Sequence, residues 1–135
     1  MSLITWSQER FATQVAQHDE EHRQLFELLN TLHRSIGIGE HISTGEALDN
    51  LIAFVAQHFA AEERNMCLVD YPDFKQHKLE HDSLVKLCLD LQADFHAGLA
   101  PLNEQTTFFL RDWLCRHIPA TDFKYVPAFT ARGIN

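Results

Sequence analysis

The stretch His58-Phe59-Ala60-Ala61-Glu62-Glu63-Arg64-Asn65-Met66-Cys67-Leu68-Val69-Asp70-Tyr71-Pro72-Asp73-Phe74-Lys75-Gln76-His77-Lys78-Leu79-Glu80-His81 decides the fold. It holds two pairs of side chains with four-residue spacing, His58/Glu62 and His77/His81, on either side of a turn signal at Asp70-Tyr71-Pro72. Residues four apart share a helix face. One helix therefore closes on a His/Glu pair and the next opens on a His/His pair. Helices joined by so short a turn run antiparallel, which brings four metal-type side chains to one level.

The flanking sequence supplies two more helices. Upstream, a first long helix is expected from about Asp19 to Gly37, with His22, Leu25, Phe26, Leu29, Leu32 and Ile36 on its inner face. The acidic run Asp19-Glu20-Glu21 suits its N-terminus, and Gly37 and Gly39 suit its end. Ser43-x-x-Glu46 reads as a capping box for the second helix, whose stripe runs Leu48, Leu51, Ile52, Val55, His58, Phe59, Glu62 and Met66. The third has the most regular seam: Phe74, His77, His81, Leu84, Cys88, Leu91 and Phe95. Gly98 and Pro101 break it, Asn103 caps the fourth helix, and Thr106, Phe109, Leu110, Trp113, Leu114, His117 and Ile118 form the fourth stripe. Residues 1–17 are expected to form an arm across the bundle, anchored by Trp6 and Phe11, and a short tail follows through Phe123, Tyr125 and Phe129. The expectation is an all-α, up-down-up-down four-helix bundle, with residues 1–135 as one domain.

Composition narrows the possible partners. The net charge of −8, with no Lys/Arg cluster, weighs against nucleic acid and anionic membrane. No apolar run reaches the ~18 residues of a membrane span, and Met1-Ser2-Leu3-Ile4-Thr5-Trp6 has no leader-like pattern. Three sparse cysteines (Cys67, Cys88, Cys115) point to a reducing cytoplasm rather than a disulfide scaffold. Nine histidines are the unusual feature.

In an up-down-up-down bundle, the starts of odd helices and the ends of even helices share one end. His22, His58, Glu62, His77, His81 and His117 therefore converge. Asp122 lies five residues beyond His117, about 140° round an ideal helix. It can join only where the helix bends or changes pitch, and Pro119 gives a cause. A single histidine on an apolar stripe is ordinarily a hydrogen-bonded core residue. Five with two acids in one core layer would be costly to bury unsatisfied, and metal satisfies them together. One tetrahedral zinc needs four ligands, so seven are too many. Two octahedral ions offer twelve positions. Five imidazoles, two bridging carboxylates and an oxo or hydroxo bridge fill all but one. This donor set suits iron among redox metals, though ligand type leaves manganese, cobalt and zinc open. The duplicated Glu-x-x-His pairs of carboxylate-rich di-iron bundles are missing, which favours reversible binding over oxygenase chemistry.

With these residues in view, the chain resembles the hemerythrin family, in its single-domain bacterial form. The resemblance runs through the arm with Trp6, the segment from His18 to Phe26, His58-x-x-x-Glu62, His77-x-x-x-His81, and His117-Ile118-Pro119-Ala120-Thr121-Asp122. It implies a non-haem, oxo- or hydroxo-bridged pair of irons. His77, His81 and His117 would hold one, His22 and His58 the other, with Glu62 and Asp122 bridging. Dioxygen would bind at the open position of the second iron, beside Leu25, Phe59, Trp113, Leu114 and Ile118. Apolar walls there exclude water and protons.

His18, one turn before His22, is expected at the surface or behind the ligands, since the ligand count is already complete. His33, His41 and His96 are expected at the solvent or boundary. The implied function is reversible oxygen binding for storage, transport or delivery by a protein that is not an enzyme. A redox or oxygen sensor acting through a separate partner, and a di-iron enzyme reducing peroxide or nitric oxide, are the alternatives. A monomer is expected, with a protein partner for delivery or signalling left open.

Overall fold

The fold is set by four long helices, seen in a computed structural model that describes residues 2–135. They are α2 (Ala16–Ile38), α3 (His41–Leu68), α4 (Phe74–His96) and α5 (Glu104–Ala120). A short helix α1 (Gln8–Phe11) precedes them, and a 3-10 turn (Asp122–Tyr125) leading into α6 (Val126–Ala131) follows. Among the described residues there is no strand. The result is the expected four-helix bundle, with α2 packed on α3 and α5, and α3 on α4.

The turns explain why the helices fold back where they do. Gly39 ends α2 in the left-handed region (φ 81°), its N–H donating to Ser35 and Ile36 carbonyls. At the end of α3 the left-handed residue is Asp70 (φ 52°), one of the few non-glycine types that tolerate it. Asp70 N–H then reaches the Cys67 carbonyl (3.2 Å) and Tyr71 N–H the Met66 carbonyl (2.9 Å). This is a Schellman closure, and Tyr71 and Met66 complete it by packing in one apolar cluster. Its effect is to set the last turns of α3, with Glu62, beside the first turns of α4, with His77. Asn103 caps α5 by accepting from Gln105 N–H at 3.0 Å, as expected.

Several local expectations change. Helix α2 starts at Ala16, one turn earlier than Asp19, and α3 starts at His41 with Glu40 at its cap. Ser43 therefore lies inside α3, where its hydroxyl donates to the Glu40 carboxylate (2.9 Å), and the capping box does not form. Phe109 is 45% exposed; the buried partner on that turn of α5 is Thr107. The arm contains α1 and is held firmly. Asn30 of α2 accepts from Ile4 N–H (3.0 Å) and donates to the Ile4 carbonyl (2.9 Å). Trp6 stacks under the Arg23 guanidinium at 4.0 Å, and Phe11 meets the Phe26 ring edge-on at 5.1 Å.

Two apolar clusters result. The larger one fills the bundle around Leu25, Phe26, Leu29, Leu48, Phe59, Leu110, Leu114 and Ile118. The smaller joins Val15, Met66, Tyr71, Tyr125 and Phe129. The buried histidines and acids fall where the two clusters meet: Glu62 between Phe59 and Met66, His117 between Leu114 and Tyr125. Each fully buried large apolar side chain contributes about 1.5–3 kcal/mol, so apolar packing on both sides holds this polar layer in place.

Candidate metal centre

All seven side chains singled out from the sequence are buried, and they meet in one layer. Helix α2 brings His22, α3 brings His58 and Glu62, α4 brings His77 and His81, and α5 brings His117. Asp122 arrives by a different local geometry. Pro119 sits in the last turn of α5, Thr121 N–H closes on the His117 carbonyl at 2.8 Å, and the chain then tightens into the 3-10 turn that begins at Asp122. This change of pitch turns Asp122 inward, where it is fully buried.

The donor atoms sort into two groups. Glu62, His77, His81, His117 and Asp122 form one, and His22, His58, Glu62 and Asp122 the other, each with donor atoms within 4.8 Å of one another. The two groups share both carboxylates. Asp122 Oδ1 lies 3.0 Å from His77 Nε2 and from His117 Nε2, and Oδ2 lies 3.2 Å from His22 Nε2. Glu62 Oε1 lies 3.4 Å from His58 Nε2 and 3.3 Å from His81 Nε2. Yet the Nε2 atoms of His22, His77, His81 and His117, with Glu62 Oε1 and both Asp122 oxygens, have no hydrogen-bond partner. Buried polar atoms are ordinarily paired. Close approach without hydrogen-bond geometry means that the lone pairs aim at shared points rather than at each other. That arrangement fits metal ions, with three imidazoles on one side, two on the other and both carboxylates between.

Charge follows the same pattern. Burial would raise the Asp122 carboxyl, but His117, His22 and His77 outweigh it and hold it well below the usual carboxylate range. Glu62 is likewise held down, against burial and the neighbouring Asp122, by His58, His81 and His22. Burial pulls His81 down, but Glu62 and Glu63 push it up to about 9. His22 and His117 are also raised, by Asp122 and Glu62 against burial. His58 goes the other way, lowered chiefly by burial.

The far nitrogens of three ligand-type histidines are held by acids the sequence reading did not assign. His58 Nδ1 donates to Glu21 (2.7 Å), His81 Nδ1 to Glu63 (2.8 Å) and His117 Nδ1 to Glu80 (3.1 Å). The contacts step round the bundle: an acid of α2 holds a histidine of α3, one of α3 holds α4, and one of α4 holds α5. An ionised carboxylate can only accept, so each Nδ1 carries the proton and Nε2 is free to face the centre. The available sequence signal was adjacency, since Glu21, Glu63 and Glu80 each neighbour His22, Glu62 or His81.

The chain matches the family model described as the hemerythrin HHE cation binding domain over residues 13–129. The chain belongs to the hemerythrin family. It is 45% identical to a bacteriohemerythrin of Methylococcus capsulatus, across 97% of this chain and 100% of that protein. It is 30% identical to a bacteriohemerythrin of Stenotrophomonas maltophilia, across 93% of this chain and 80% of that protein. The crystal structure of a wild-type hemerythrin superposes with a TM-score of 0.94 at 44% identity, covering 96% of this chain and 99% of that one.

Two of the apolar residues expected around a hemerythrin oxygen site, Phe59 and Trp113, stack on these imidazoles. Phe59 stacks flat on His81, with ring centroids 3.7 Å apart and planes at 2°, and Trp113 stacks on His117 at 4.2 Å and 15°. Leu25, Leu114 and Ile118 are buried in the same cluster. His33 bonds to Thr107 at the bundle boundary, His96 bonds to Asp49 at the surface, and His41 stacks on Phe95. His18 is not at the surface: it is fully buried, behind the centre.

Proposed function

We propose that this protein binds dioxygen reversibly at a non-haem di-iron centre, serving oxygen storage, transport or delivery. The observation that carries the reading is the pair of buried donor groups sharing Glu62 and Asp122. His77, His81 and His117 would hold one iron and His22 and His58 the other, with Glu62 and Asp122 available to both. Bound irons would supply the two electrons of reversible dioxygen uptake. The imidazole-rich donor set suits iron among redox metals.

The protein's own residues set the conditions for reversibility. Leu25, Phe59, Trp113, Leu114 and Ile118 wall the ligand position and keep out water and protons. Glu21, Glu63 and Glu80 fix the tautomers of His58, His81 and His117. Tyr125 donates to Glu62 Oε2 and holds that carboxylate from below. Residues 1–135 act as one hemerythrin-like unit, a reading supported by the full-length match to the Methylococcus protein. Three free cysteines favour a cytoplasmic setting, and no helix among the described residues is long and apolar enough to cross a membrane.

The test is metal content, followed by the visible spectrum through anaerobic reduction, oxygen addition and oxygen removal. Two irons per chain, with a charge-transfer band that comes and goes with oxygen, is the expected result. Irreversible oxidation of two bound irons would replace this reading with redox sensing or catalysis. Fewer than two metals in saturated protein would overturn the ligand set.

A further inference from the structure

His18 has no part in the seven-residue donor set, yet it is fully buried and hydrogen-bonded at both ring nitrogens. Its Nδ1 lies 2.8 Å from Glu21 Oε1, the same oxygen that His58 Nδ1 reaches at 2.7 Å. Gln17 Nε2 donates to the other oxygen, Oε2, at 3.1 Å. Three nitrogens thus surround the two Glu21 oxygens, and a carboxylate meets them as an acceptor. The His18 proton therefore sits on Nδ1, which leaves Nε2 to accept from Asn65 Nδ2 at 2.9 Å. The links close a loop between two helices: Asn65 of α3 to His18 of α2, His18 to Glu21, and Glu21 back to His58 of α3. The His18 ring also packs against Tyr125 and Phe129, at centroid distances of 5.8 and 6.0 Å.

His18 and His58 are the buried members of this loop; Asn65 is partly exposed, and Glu21 has a path to water. It lines a solvent-connected cleft of about 350 Å³ with Gln17, Gln24, Gln57, His58 and Arg64. A carboxylate there gains hydration by swinging outward, and doing so would release His58 Nδ1. We propose that His18, anchored by Asn65, is a positioning residue for the metal centre: it holds Glu21 inward, and Glu21 in turn keeps His58 with Nε2 facing the metals. This inference rests on the di-iron reading for its consequence, but not for its geometry.

The test uses the full chain with two substitutions. His18→Phe keeps a ring against Tyr125 and Phe129 but has no donor. His18→Gln keeps a donor but has no ring. In the metal-free protein, imidazole ¹⁵N shifts report which His58 nitrogen carries the proton. In the iron(II)-loaded protein, transfer to excess chelator reports how firmly the ions are held. The Phe variant is expected to lose the single Nδ1–H form of His58 and to release iron about tenfold faster, the low end for groups behind a ligand. The Gln variant is expected to stay close to the parent in both. A Gln variant that fails while the Phe variant behaves like the parent would make His18 a packing residue and overturn the proposal. So would a Phe variant unchanged in both readouts. If the Phe variant melts early, Asn65→Leu takes its place, with a change in the same direction expected and no change overturning the proposal. A parent chain that holds no iron pair would sink the di-iron reading alone, because the tautomer measurement on metal-free protein still decides the role of His18.

Discussion

The Tyr125 hydroxyl donates to Glu62 Oε2 at 2.7 Å, and both side chains are fully buried. The two residues are 63 apart in sequence. The contact exists because the 3-10 turn after α5 folds the tail beneath the centre. Burial and the Glu62 and Asp122 carboxylates push the phenol well above its ordinary value, so it stays protonated and remains a donor. Tyr125→Phe removes a hydrogen bond to a buried charge, worth about 1.5–3 kcal/mol. A lower melting temperature of the metal-free protein is expected, together with about tenfold easier metal loss to a chelator. If both stayed at the parent value, the hydroxyl would have no role in holding Glu62.

Replacing Glu62 itself is more severe. Glu62→Gln removes one of two carboxylates shared by the donor groups and leaves His58 and His81 facing an amide. Metal loading should fall below two ions per chain, and any remaining spectrum should lose its bridged charge-transfer band. Full loading with an unchanged spectrum would rule out a bridging role for Glu62.

Leu114 lies one turn before His117 on α5 and is buried with Leu25, Phe59 and Ile118. Leu114→Ala opens space beside the centre and costs about 2–5 kcal/mol of stability. The oxygen adduct should autoxidise faster, because water and protons gain access. Stopped-flow decay of the oxygenated spectrum measures this, with the melting temperature recorded separately. A destabilised variant with an unchanged adduct lifetime would assign Leu114 to packing alone.

The metal-free chain should show a specific pH trend. His81 is raised to about 9 in the folded state, and His22 and His117 are raised as well, from an ordinary value of 6.5. A raised group stabilises the fold fully below its unfolded pKa, and that stability is lost as pH climbs through the folded one. His58, lowered by burial, is neutral in both states above 6.5 and does not oppose the trend. Melting temperature should therefore fall between pH 6.5 and 9. Bound metal displaces the imidazole protons, so loaded protein should lack this slope and metal uptake at pH 7 should release protons. Parallel melts of the two forms check the prediction; a flat metal-free profile would mean that these histidines are not paired with Asp122 and Glu62 as described.

The four long helices and their breaks follow from local sequence. The seams of α2 to α5 repeat every three to four residues, and Gly39, Asp70 and Asn103 stop or start helices through their own backbone or side-chain chemistry. His58/Glu62 and His77/His81 share helix faces through four-residue spacing alone. Antiparallel succession then carries His22 and His117 to the same end, and Pro119 gave the one local sign that the chain could turn Asp122 inward. These are short-range facts, so the sequence by itself determined which six side chains of the four helices share one level of the bundle, while Asp122 joins them through the change of pitch after Pro119. Tertiary structure decided what stands behind the donors. Glu21, Glu63 and Glu80 sit about 100° round their helices from a donor, at the seams, and the rotation of each packed helix selects the histidine each acid meets. The same packing put His18 under Tyr125 and Phe129 rather than in water, and placed Tyr125 against Glu62. Contacts between helices depend on how the whole bundle settles, and no spacing within one helix encodes that.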